Sequence, residues 1–183
     1  MGVRVTGCES HSDREVHPMT PTQDVVEMIL EDHRTMEDLL RLMRSTEADR
    51  QGALHDFAHL MIAHGEAGRA SVHPVLVSFE DAGTVEHVEA AHREAVKVLF
   101  ALLHVERIGS AEWDWRLQQL ASATARHTDA EERTLVNRVR ESLSRRCREE
   151  LGAGFARTEA ELLTARCGSV ANVHRMVHDA APV

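Results

Sequence analysis

The sequence predicts an all-α fold, an up-down-up-down four-helix bundle with a short fifth helix and flexible termini. Three observations predict it. Apolar residues recur at helical spacing in four long segments. Turn chemistry separates those segments: the polar run Ser45 to Gln51, Asp81-Ala82-Gly83, and Gly109-Ser110. No segment alternates apolar and polar residues with the period of two that a half-buried strand needs. Long helices joined by short connections have antiparallel neighbours, which gives the bundle topology.

Taken in order, residues 1–18 are polar, charged and aperiodic, and read as a flexible arm. Thr20-Pro21-Thr22-Gln23 combines an N-cap, a proline at the first helical position and a glutamine three residues on. Helix A is expected over roughly 21–45, with Val25, Val26, Ile29, His33, Met36, Leu40 and Met43 on one stripe. Helix B is expected from about Ala53 to Val77, with Pro74 near its end. Helix C follows the cap at Thr84, with Val85, Val88, His92, Val96 and Leu99 inward. Helix D follows Gly109-Ser110, with Trp113, Leu117, Leu120, Thr124, His127, Glu131, Leu135 and Val139 inward. Gly152 and Gly154 precede a short fifth helix, and residues 166–183 read as a tail. The bundle therefore occupies 19–165.

The composition narrows the function classes. A chain of 183 residues, 43% hydrophobic and 28% charged, can bury an ordinary core. No stretch approaches 18 uninterrupted apolar residues, so no membrane span is expected. A net charge of −9 argues against nucleic acid as partner, because binding phosphates needs a cationic face. Three cysteines without C-x-x-C spacing indicate neither a disulfide framework nor a zinc knuckle, and the expected compartment is the cytoplasm. The outlier is histidine, with 13 residues.

Position decides what those histidines mean. Each of the four long helices carries one on its apolar stripe: His33, His64, His92 and His127. A single core histidine is more often a hydrogen-bonded core residue than a ligand. Four, one per helix, can converge on one small volume when helices pack about 8–10 Å apart. Buried imidazoles need partners, and a bound metal would satisfy all four together. Glu131, four residues after His127, projects from the same face, and Glu132 can reach the edge of the site. Such a mixed imidazole and carboxylate set in a bundle suits iron or manganese, and zinc less specifically.

On these residues the chain resembles the hemerythrin-like (HHE cation-binding) domain family, actinobacterial type. The segments that carry the resemblance are Leu30-Glu-Asp-His33, His64 with Pro74-Val-Leu76 ten residues on, Ala91-His92-Arg93, and His127-x-x-x-Glu131-Glu132, together with Leu151-Gly152. It covers roughly 21–165. The resemblance implies two non-haem irons between the four helices, one held by His33 and His64, the other by His92 and His127, with Glu131 bridging. It also implies reactivity toward O2, peroxide or nitric oxide, in a carrier, a sensor, an iron-handling protein or a small redox enzyme.

The sequence departs from that family in two places. The second bridging carboxylate, four residues after the helix B histidine, is replaced by Gly68. Glu66 lies nearly opposite His64 on a regular helix, so only local unwinding at Gly65 and Gly68 would bring it inward. On helix C the position four before His92 is Val88, and Glu89, three before, is a candidate substitute ligand. His73 either lines the mouth of the site as a proton shuttle or packs, and Val88 and Met36 are expected to keep the pocket dry. Three states of the centre follow: an asymmetric diiron site, a mononuclear site holding iron or another divalent metal, or a metal-poor bundle. The function expected is oxidative chemistry on O2, peroxide, NO or a small organic substrate. The alternatives are reversible O2, NO or iron binding without turnover, and a metal-poor interaction module.

Overall fold

The computed structural model describes residues 23–78 and 82–179. The Thr20-Pro21-Thr22 cap and the arm before it lie outside the described residues. Within these, the fold is all-α. Helix α1 spans Val25–Arg44, and Asp24 caps it by accepting the Val26 N–H at 3.0 Å. Helix α2 spans Arg50–Ser71, capped by Asp49. A break at Val72 separates it from the short α3, His73–Ser78, where the sequence suggests one helix through to Val77. The break has a local cause: Pro74 has no N–H to bond back into the preceding turn. Helix α4 spans Ala82–Leu103, and α5 spans Ala111–Ala130 with Ser110 as its cap.

Burial patterns fix the topology. One hydrophobic cluster takes Met36–Met43 from the end of α1 and Ala53–Ala63 from the start of α2. It continues with Ala95–Leu102 from the end of α4 and Trp113–Ala123 from the start of α5. A cluster drawn alternately from helix ends and helix starts is the signature of antiparallel neighbours. The second cluster uses the opposite ends: Val25, Val26 and Ile29, then Ala67, Val85 and Val88, then Leu135, Val136 and Val139. Between the two lies a layer that belongs to neither. It contains His33, His64, His92, His127 and Glu131, all buried.

After α5 the chain makes one turn of π-helix, Glu131–Val136, before α6, Asn137–Ser142. The fifth long helix, α7, spans Arg145–Thr164 and is not short. It runs straight through Gly152 and Gly154, and packs against α1 and α2. Gly152 is what permits this. A Cβ there would overlap the backbone carbonyl of Gln23, so the chain entering α1 passes α7 too closely for any side chain. Residues 170–179 form a further helix, α8, Val170–Asp179, that packs on α4 with Val173 fully buried. Its approach is fixed by the Gly168 N–H, which donates to His59 Nδ1 at 2.9 Å. No helix of the described residues is long and apolar enough to cross a membrane.

Candidate metal centre

Three helices aim imidazoles at one carboxylate. His33 on α1, His64 on α2 and His127 on α5 present their Nε2 atoms to Glu131 Oε2 at 3.2, 3.0 and 3.4 Å. Their donor atoms and that of Glu131 lie within 4.8 Å of one another, and all four residues are buried. The i, i+4 spacing carries the inner face of α5 from His127 into the π turn, so that Glu131 points to the same side. The π turn starts at Glu131, and such turns inside α-helices occur frequently at functional sites.

Carboxylates hold two of these rings from behind. His33 Nδ1 donates to Glu132 Oε1 at 2.7 Å, and His64 Nδ1 donates to Asp32 Oδ2 at 2.9 Å. A carboxylate on Nδ1 fixes the ring orientation and leaves Nε2 to face the centre, the arrangement that accompanies metal-binding histidines. Glu132, a candidate ligand from sequence, thus lies behind His33 rather than among the converging donors. Asp32 was not anticipated. It lies on α1 but serves the histidine of α2, a cross-helix pairing that no sequence spacing reveals. Phe155 of α7 packs edge-on against His64 at 6.0 Å between ring centres, closing that side.

The fourth histidine sits differently. The His92 ring lies 5.0 Å from the His127 ring, and neither His92 nitrogen has a partner. Gly65 makes room for it, since a Cβ there would overlap the imidazole. Neither nitrogen of His127 has a well-formed hydrogen bond. Leaving buried imidazole nitrogens unpaired is costly, and a cation accepting their lone pairs removes that cost. The donor set therefore fits a metal: convergent, imidazole-rich, carboxylate-containing and partly unsatisfied.

The electrostatics agree. Burial would push His64 toward its neutral form. The Glu131 and Asp32 carboxylates outweigh burial and hold its pKa up at about 10. Burial likewise opposes the charge on Glu131, yet His64, His33 and His127 keep it well below the ordinary carboxylate range. Burial dominates at His127, lowered to about 4, and at His92, lowered well below 6.5, so both are neutral lone-pair donors at pH 7. Glu159 of α7 is raised to about 7 by its own burial and by the neighbouring Asp32.

The remaining candidates fall around this core. Glu66 does not swing inward: α2 stays helical through Gly65 and Gly68, and Glu66 pairs with Arg69 at 3.2 Å. Glu89 accepts from His73 Nδ1 at 3.0 Å and also faces Arg93 and Arg69. Gly68, His73 and Val88 line a small cavity with His64, Gly65, Arg69, Glu89, His92, His127 and Glu131. Its volume is about 10 Å³, room for roughly one water molecule. Met36 is fully buried in the adjoining apolar cluster.

A search of curated proteins and a search of solved structures each returned no match. A family model, the Hemerythrin HHE cation binding domain, matches residues 24–139, a span that starts at the α1 cap and ends in α6. That span contains all four inward histidines and Glu131, and on that match the chain belongs to the hemerythrin HHE cation-binding family.

Proposed function

We propose that the chain is a non-haem iron protein that reacts with O2, peroxide or nitric oxide at the His33–His64–His127–Glu131 cluster, and that the reaction is catalytic. The observation that carries this reading is one asymmetry: converging, carboxylate-oriented donors stand beside a buried histidine, His92, whose nitrogens have no partner and which borders a cavity. A fully ligated, closed set would suit a structural ion, whereas catalysis needs open positions.

His33, His64, His127 and Glu131 would hold the metal, with His92 on the cavity side. Bound iron would supply electron transfer to the small oxidant. The chain's own residues do the rest. Asp32 and Glu132 accept the Nδ1 protons of His64 and His33, so those rings meet a cation through Nε2. Glu131 neutralises cationic charge in a layer from which the flanking apolar clusters exclude water. Val88 narrows the cavity to about the size of one small molecule.

The test is to add peroxide, or NO together with an excess of a chemical reductant as electron source, to anaerobically reduced, iron-loaded protein and count equivalents consumed. Consumption well beyond one equivalent per chain is expected. A single stoichiometric uptake without turnover would make the protein a carrier or sensor instead.

A further inference from the structure

A groove runs along the seam between α2 and α4, and α8 builds part of its wall. Helix spacing sets its two long sides. On α4, Glu89, His92, Arg93 and Val96 recur every three or four residues and share a face. On α2, Ile62, Glu66 and Arg69 do the same. The helices are antiparallel, so Arg69 stands beside Glu89, at 3.7 Å, next to the centre. Ile62 lies about 10 Å further along α2 at 1.5 Å per residue. There Leu162 of α7 and Met176 and Val177 of α8 pack on the apolar cluster beyond the polar layer. The groove has a volume of about 1330 Å³, above the roughly 300–1,000 Å³ of most small-molecule pockets. Arg69, Glu89 and His92 line both this groove and the small cavity of the centre, so the two spaces share a wall.

The charge of the groove runs against that of the chain. The sequence carries a net −9, yet the groove is lined by Arg69, Arg93, Lys97 and Arg175 against only Glu66 and Glu89. Both carboxylates are engaged at the centre end: Glu66 by Arg69 at 3.2 Å, and Glu89 by Arg93 at 3.5 Å as well as by Arg69. Lys97 lies one turn beyond Arg93, and its pair with Glu94, at 3.8 Å between two exposed side chains, is of the kind that contributes little in water. Arg175 of α8 donates to the neutral amide oxygen of Asn172 at 2.9 Å and pairs with no carboxylate among the described residues. The positive surplus therefore belongs to Lys97 and Arg175, while the stretch between them and His92 is apolar.

We propose that this groove binds a small amphipathic organic anion, its charged head on Arg175 and Lys97 and its apolar body laid along Ile62, Val96, Leu162 and Met176 toward His92. An apolar floor with a few charged groups at one end orients such a ligand in one direction only. As a substrate site beside the centre, the groove rests on the reading of the histidine cluster as a reactive metal centre. As a binding site it stands on its own lining, so binding is measured first without metal.

The test titrates octanoate into the metal-free, full-length protein by calorimetry, beside 1-octanol, which lacks the charge, and butyrate, which lacks the apolar length. Octanoate should bind once per chain and more tightly than either. Arg175→Gln combined with Lys97→Gln should weaken octanoate about 10-fold, the lower end for a charge-assisted hydrogen bond, and leave octanol unchanged. Arg145→Gln combined with Arg146→Gln removes the same charge from the exposed start of α7 and should change nothing. In protein loaded with Mn²⁺, NMR line broadening should be strongest at the terminal methyl of octanoate. Failure of octanoate to bind, equal affinity for octanol, or equal loss in both double variants would overturn the proposal. Broadening strongest beside the carboxylate would overturn it too, since the head would then face the centre. A chain that binds octanoate as expected but takes up no Mn²⁺ keeps the groove and overturns the metal centre, which separates the two failures.

Discussion

The two sides of the buried polar layer are built differently from the same residue type. On the α1–α2 side, His33 and His64 are bonded through both nitrogens to carboxylates, and α7 seals the wall with Phe155. On the α4 side, His92 has no partner, glycines stand at 65 and 68, and a cavity remains. One side is pre-organised, and the other is left unsatisfied. Rigid, fully bonded donors hold an ion, while unpaired donors beside open space leave a place for an exchangeable ligand.

The strongest way to break this contrast is to remove its hub. Glu131→Ala leaves the His64 charge buried with only Asp32 beside it, and losing one partner of a buried pair costs about 3–5 kcal/mol. Urea unfolding of the metal-free variant should show that loss, together with failure to load iron. An unchanged unfolding midpoint would mean that Glu131 is not the hub.

Next in size is a pH effect in the metal-free protein. His64 is raised to about 10, so its contribution is complete below its ordinary 6.5 and disappears as pH climbs from 6.5 to 10. His127 and His92 are lowered, so below 6.5 the unfolded chain takes up protons that the folded chain refuses. Stability should therefore peak near pH 6.5 and fall on both sides, by roughly 1–3 kcal/mol per pH unit toward acid. A plateau from pH 5 to 9 in thermal melts would count against the paired and unpaired assignment of the two sides.

Two smaller substitutions sharpen the contrast. Asp32→Asn should weaken iron binding about 10–100-fold through His64, and should also let the Glu159 pKa fall from about 7. Gly65→Ala should displace the His92 ring, at a cost of about 1–3 kcal/mol for overpacking, while leaving the α1–α2 donors in place. The smallest effect is expected at Gly154. A Cβ there meets Ser71 at an ordinary 3.7 Å, so Gly154→Ala should stabilise α7 by about 0.5–1 kcal/mol. The same change at Gly152 should undock the helix. Calorimetry on that pair separates crowding from propensity.

Much of this was legible in the chain. Apolar stripes at helical spacing mark the four long helices, and one histidine on each stripe marks the polar layer. His127 and Glu131 could be paired by arithmetic, since i and i+4 share a face. What was not legible depends on contacts between helices. Asp32 meets His64 because α1 and α2 cross at that level. Gly65 reads as a helix-weakening residue, yet its role is to admit a ring from α4. Gly152 reads as a break, yet it is a crossing point in the middle of α7. The π turn at Glu131 carries no propensity signal. The carboxylates considered as substitutes, Glu66 and Glu89, are drawn off by Arg69, His73 and Arg93, partners that become neighbours only in the fold.

The most direct test of the central claim is X-ray absorption at the iron edge of the loaded wild-type protein. A centre built from these residues predicts a nitrogen and oxygen shell, with the outer scattering of several imidazoles and no sulfur. A sulfur ligand, or a shell without imidazole scattering, would contradict it.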